Sequence, residues 1–139
     1  MLYELEDTLK VEKLFAGWNE TMIISCLQKV MGKIYVTDPE NPQAAFAYVG
    51  CFGFYAGTPV RELVMNKPEG FVIMTPQEDA WARLIEECYP SAKKVTRYAI
   101  KKDTVFDPVR LQSNLKILHS NAVKNNQVLD MAVYALVKE

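Results

Sequence analysis

Histidine, paired cysteines, long apolar runs and an excess of either charge are what this 139-residue chain has least of. Each shortage removes a class of function. The single histidine, His119, has neither Cys nor Asp at a ligand spacing around it, so neither a metal site nor a Cys–His nucleophile pair is supported. Three cysteines, Cys26, Cys51 and Cys88, are odd in number and far apart. They read as small buried hydrophobes, with a reducing cytoplasm as the expected location. A net charge of -1 supplies no basic field for nucleic acid or an anionic membrane. No apolar stretch approaches the about 20 residues that cross a bilayer, and the opening MLYELEDTLK is acidic rather than signal-like. The six glycines form no phosphate loop: Gly50, Gly53 and Gly57 make a GxxGxxxG spacing that matches neither the dinucleotide nor the P-loop pattern. There is no internal repeat and no low-complexity segment.

What is present suits one well-buried domain. Half the residues are apolar and 24% are charged, the balance of a soluble globular protein. The apolar run Phe71–Met74 leads directly into Thr75-Pro76-Gln77-Glu78. This reads as a helix start, with Thr75 as N-cap, Pro76 in the first helical position and Glu78 as the carboxylate that reaches back. An apolar stripe follows at Trp81, Leu84, Ile85, Cys88 and Tyr89, the spacing of one buried helical face. A strand that turns into a helix commonly cradles phosphate on free amides. Here Pro76 deletes one amide, and Glu78 and Asp79 place negative charge at the helix's positive end.

Upstream, residues 19–31 read as a helix closed by Gly32, followed by a strand over 33–36. Asp38-Pro39-Glu40-Asn41-Pro42 makes a rigid polar loop. The segments AAFAYV and FGFYA, joined by Gly50-Cys51, predict a hairpin with a type II′ turn. RELVMNKPEG reads as a surface connection. Downstream, residues 93–102 predict a strand with charged ends. Val95–Lys102 is expected to pair in parallel with Phe71–Met74, with the Trp81 helix as crossover. Asp107-Pro108 predicts another helix with Leu111, Leu115 and Leu118 on one face. LDMAVYALV fits a helix or a strand equally. The order predicts an α/β class protein, a mixed α+β sheet with packed helices.

Three stretches carry a family resemblance: LFAGWNETMIISCLQKVMGKIYVTDPENPQAAFAYVGCFGFYAG, GFVIMTPQEDAWARLIEECYP and KKVTRYAIKKD. Together they resemble the N-terminal half of GNAT-type acetyltransferases of the zwittermicin A resistance protein family, over Leu14 to Leu111. The resemblance implies a degenerate GNAT-like fold, the acyl-CoA N-acyltransferase architecture, over residues 1–118. A divergent tail of open structure follows over 119–139. It further implies that acetyl-CoA belongs to the family's second domain, that this chain stops before that domain, and that it holds neither cofactor nor catalytic residue. The partner implied is a catalytic GNAT domain or a second copy of the chain. Thr75, Pro76, Gln77, Glu78 and Asp79 stand where such folds carry their glycine-rich pyrophosphate cradle.

The remaining candidates have bland readings beside them. Phe46, Tyr48, Phe52 and Phe54, with Tyr55, are candidates for a ligand groove, although strand aromatics usually fill cores. Lys93, Lys94, Arg97, Lys101 and Lys102 form a basic cluster that most simply marks solvated strand ends. Glu86 and Glu87 diverge by about 100° on a helix and make no catalytic dyad. The leading expectation is therefore a structural, acceptor-cleft-forming domain of an acetyltransferase-family protein. A complete small N-acetyltransferase and a small-molecule-binding module are the alternatives.

Overall fold

The computed structural model describes residues 1–100, 109 and 128–136. The chain divides into two compact units, Met1–Val95 with Val133–Glu139, and Thr96–Ala132. In the first, strand β1 (Tyr3–Glu4) leads to a 3-10 helix (Thr8–Phe15) and helix α1 (Thr21–Leu27). Strands β2 (Lys33–Val36), β3 (Ala44–Val49) and β4 (Phe52–Gly57) follow. Then come helix α2 (Arg61–Met65), strand β5 (Val72–Pro76) and helix α3 (Asp79–Cys88). Strand β6 (Lys93–Ile100) runs from the first unit into the second, and β7 (Val128–Leu136) ends back in the first.

The first four strands pair antiparallel in chain order, β4 and β5 pair in parallel, and β5 takes the end of β7 antiparallel on its other side. Within the second unit β7 neighbours β6. The expected parallel pairing of Val95–Lys102 with Phe71–Met74 is thus overturned. The place beside β5 belongs to β7, through Val72↔Leu136, Ile73↔Ala135 and Met74↔Tyr134. The largely apolar VLDMAVYAL suits an interior position, whereas charged strand ends suit the end of a sheet. The parallel pair joined through a helix does exist, one element earlier, as β4–α2–β5.

The β3–β4 hairpin forms as expected. Val49 pairs with Phe52 across Gly50-Cys51, and Gly50 has φ +62 while Cys51 is not left-handed, the pattern of a type II′ turn. Alternation along these strands sorts their side chains onto two faces. Ala45, Ala47, Phe54 and Ala56 pack under the 3-10 helix and α1 with Val11, Phe15 and Ile23. Phe46, Tyr55, Val72 and Met74 pack with Leu63 of α2 and Trp81 and Ile85 of α3.

Two helix boundaries differ from expectation. α1 stops at Leu27 because Lys29 turns left-handed at φ +57, which leaves Val30 70% and Met31 64% exposed. Gly32 is still a point of close approach: a Cβ there would stand 2.6 Å from both Cys26 Sγ and the Tyr48 carbonyl oxygen. RELVM is not a mere surface connection. It forms α2, whose Leu63 and Val64 are fully buried, so the apolar pair overrides the turn-forming residues around it. The helix expected from Asp107-Pro108, the leucines at 111, 115 and 118, His119 and the 118/119 boundary lie outside the described residues.

Candidate functional site

The strand β5–helix α3 junction is built differently from the capping-box reading. Thr75 is not the N-cap: it is 1% exposed and pairs with Phe54 inside the parallel ladder. Pro76 is the last residue of β5, opposite Tyr55. Its fixed φ is compatible with an extended strand end, where no ladder donor is required of it. The next amide, Gln77 N–H, completes the ladder by donating to the Tyr55 carbonyl at 3.0 Å. Glu78, extended at φ -147, is the N-cap and makes no side-chain capping bond; Asp79 opens α3. Tertiary pairing with β4 therefore holds the chain extended for three residues beyond the local signal.

Gln77 fastens this corner. Its Oε1 accepts from Gly57 N–H at 3.0 Å, and its Nε2 donates to the Leu14 carbonyl at 2.6 Å. Because one partner is a backbone donor and the other a backbone acceptor, the amide's orientation is unambiguous. The Gly57 carbonyl in turn accepts from Trp81 Nε1 at 2.8 Å. Gly57 itself has φ +84, and a Cβ on it would meet the Gln43 carbonyl oxygen at 2.3 Å. Around these residues opens a depression of ≈ 450 Å³, lined by Leu14, Gln43, Gly57, Thr58, Pro59, Gln77 and Glu78. Of the five junction residues named from sequence, only Gln77 and Glu78 line it. Gln43, Thr58 and Pro59 escaped sequence reasoning, and Gly57 was weighed there only as part of a phosphate loop; a glycine closing a strand with proline two residues on was the available signal.

The aromatic groove is not assembled. The two-residue hairpin opposes Phe46 to Tyr55 and Tyr48 to Gly53, so Phe46 and Tyr48 share the α2/α3 face while Phe52 and Phe54 belong to the opposite one. Phe46 stacks on Tyr55 with ring centroids 4.4 Å apart and on Tyr48 at 5.9 Å. Its ring lies over Gly53, where a Cβ would come within 2.2 Å of Phe46 Cε2. Phe54 meets Trp18 edge-on at 5.6 Å. These rings fill two cores.

Neither Cys26 nor Cys88 is an activated thiol. Burial pushes the Cys26 thiol up, and it pushes Cys88 up despite the opposing Arg61 charge. Arg61 Nη1 lies 3.5 Å from Cys88 Sγ, and the same guanidinium pairs with Glu87. Glu86 pairs instead with Lys94 at 3.6 Å, so the two neighbouring glutamates serve separate surface contacts. Lys93 is exposed, and Lys101 and Lys102 lie outside the described residues. Burial also pushes the Tyr55 phenol far above its ordinary range, and its hydroxyl finds no partner among the described residues. No group of His, Cys, Asp and Glu among the described residues is placed to hold a metal. No described helix is long and apolar enough to cross a membrane.

Comparison with known proteins gives one consistent likeness. Residues 12–137 match the model of the GNAT acetyltransferase family. Among solved structures, the chain is similar to a GCN5-related N-acetyltransferase-like protein from Streptococcus suis, at 44% identity and a TM-score of 0.65. The match covers 81% of this chain and 47% of that one, so the chain spans about half the length of its structural relative. No curated protein matches it.

Proposed function

This chain belongs to the GNAT acetyltransferase family, and on that premise we propose that it is a GNAT-like half without catalytic function of its own. In this reading it resembles the N-terminal half of the zwittermicin A resistance type. It packs on a catalytic GNAT domain or a second copy and shapes an acceptor cleft, and acetyl-CoA is held by the catalytic domain. The observation that carries the reading is the β5–α3 junction. A pyrophosphate needs consecutive free amides at a positive helix end. Here Pro76 has no amide hydrogen, Gln77 N–H is committed to Tyr55, and Glu78 and Asp79 put carboxylates at the start of α3. Each lost or opposed contact costs on the order of 1 kcal/mol, and together they carry a micromolar ligand toward millimolar.

The reading has a direct functional test. The purified chain, given acetyl-CoA and a panel of primary amines, is expected to release free thiol no faster than buffer. Amine-dependent thiol release would overturn the proposal in favour of a complete small N-acetyltransferase.

A further inference from the structure

We propose that the end of the sheet closed by the β3–β4 turn is a contact surface for a second copy of this chain. The inference rests on the reading above, in which the chain packs on a GNAT-like partner, and it selects both the partner and the surface. Three segments meet at this end. A Cβ on Gly32 would stand 2.8 Å from Val49 Cβ, so the segment that carries Val30 and Met31 lies beside the end of β3. Val49 pairs with Phe52 across Gly50-Cys51. The Cys51 carbonyl accepts from Ile73 N–H at 2.7 Å, which brings in the start of β5 directly after Phe71. Val30, Met31 and Phe71 are exposed and Cys51 is half-buried.

Apolar side chains scattered singly on a surface are ordinary; a row of them across neighbouring strands marks a contact site. Residues 30–32, 49–52 and 70–73 contain no Asp, Glu, Lys or Arg. The lysines at its border are spent within the chain, Lys29 on Glu6 at 2.7 Å and Lys33 on Glu4 at 2.8 Å. This charge pattern selects a copy as the occupant. A two-fold contact lays a patch on itself, so every charge on it meets its own sign, and a row without charge escapes that repulsion. A strongly acidic or basic partner finds no counter-charge there. The structural relative also carries, beyond the matched part, about the same length of chain again, which is room for one more domain of this size. The row crosses β2 to β5, three strand spacings of about 4.8 Å each. That is short, and it suits the weak, reversible class of interface below about 1,200 Å².

The test is sedimentation equilibrium of the purified full chain from about 1 μM to about 1 mM, the range in which a weak dimer forms and dissociates. A reversible monomer–dimer equilibrium is expected. Met31→Glu and Phe71→Glu, both at exposed positions, are each expected to raise the dissociation constant by about tenfold or more while the thermal melt of the monomer stays unchanged. A second readout needs no variant: alkylation of Cys51 by N-ethylmaleimide, followed by peptide mass, is expected to slow as the dimer fills. A monomer at every concentration, a dimer indifferent to both substitutions, or a Cys51 rate that ignores dimer formation would each overturn the proposal. A monomer that releases no thiol from acetyl-CoA overturns this inference alone, and a dimer that releases it overturns the catalytic reading alone.

Discussion

The two faces of the sheet in the first unit are packed by different means. Beneath the 3-10 helix and α1, the strands present Ala45, Ala47 and Ala56 beside Ile34, Val36 and two rings, the buried Phe54 and the half-buried Phe52. Small side chains let the covering elements come close, and the polar groups there are settled at the margin, as where Thr8 Oγ1 donates to the Leu27 carbonyl at 2.6 Å. Beneath α2 and α3 lies a slab of rings instead, in which Phe46 stacks on Tyr55 and Tyr55 leans on Trp81 at 5.2 Å. Rings bring polar handles into the interior. Trp81 Nε1 finds the Gly57 carbonyl; the Tyr55 hydroxyl finds nothing among the described residues. The aromatic face therefore concentrates stability and also ties the core to the cleft, because Gly57 joins Trp81 to Gln77.

If that contrast is right, the deepest loss follows Trp81→Ala. Emptying a fully buried indole site is expected to cost about 3–5 kcal/mol in chemical denaturation, and to loosen the Gly57 corner in hydrogen exchange. A cost below about 1 kcal/mol would place the stability of this face elsewhere. Next comes Gly53→Ala, which drives a methyl into the Phe46 ring and is expected to cost about 1–3 kcal/mol by overpacking. The effect should shrink in a Phe46→Leu background, which a double-mutant cycle would read.

Smallest is Tyr55→Phe, expected to stabilise the fold by about 1 kcal/mol at neutral pH, since a buried hydroxyl without a partner among the described residues carries an uncompensated desolvation cost. Its signature is in the pH dependence. Burial raises the folded phenol's pKa above its unfolded value near 10. The native state thus favours the protonated phenol, its contribution is complete below the unfolded value, and stability falls as pH rises beyond it. In Tyr55→Phe that component of the alkaline loss is expected to vanish. An unchanged alkaline profile would show that Tyr55 is not the group responsible.

The hairpin and the buried stripe of α3 were legible because both are local. A glycine able to take φ +62 at Gly50 and helical spacing from Trp81 to Tyr89 need no distant partner. The junction between them was not. TPQE satisfies the rules of a helix start, yet Pro76 is held opposite Tyr55 and Gln77 bridges to Gly57 and Leu14, 20 and 63 residues away in sequence. Long-range hydrogen bonds outweigh a local cap. The helix read over 19–31 ended early through the backbone of Lys29, which sequence gives no reason to place left-handed. The aromatic groove failed for a different reason. The two-residue loop already implied that Phe46 faces Tyr55 rather than Phe54, so this error lay in grouping rings by proximity in sequence instead of by register. Likeness to GNAT acetyltransferases was legible in whole words of sequence, and the domain match over residues 12–137 agrees with it at the level of that family.

The central claim is that the β5–α3 junction, closed by Pro76, Gln77, Glu78 and Asp79, does not accept a cofactor pyrophosphate. Calorimetric titration of acetyl-CoA into the purified chain tests it most directly. The account expects no saturable heat at micromolar cofactor, with binding no tighter than about millimolar. A dissociation constant in the low micromolar range would contradict it.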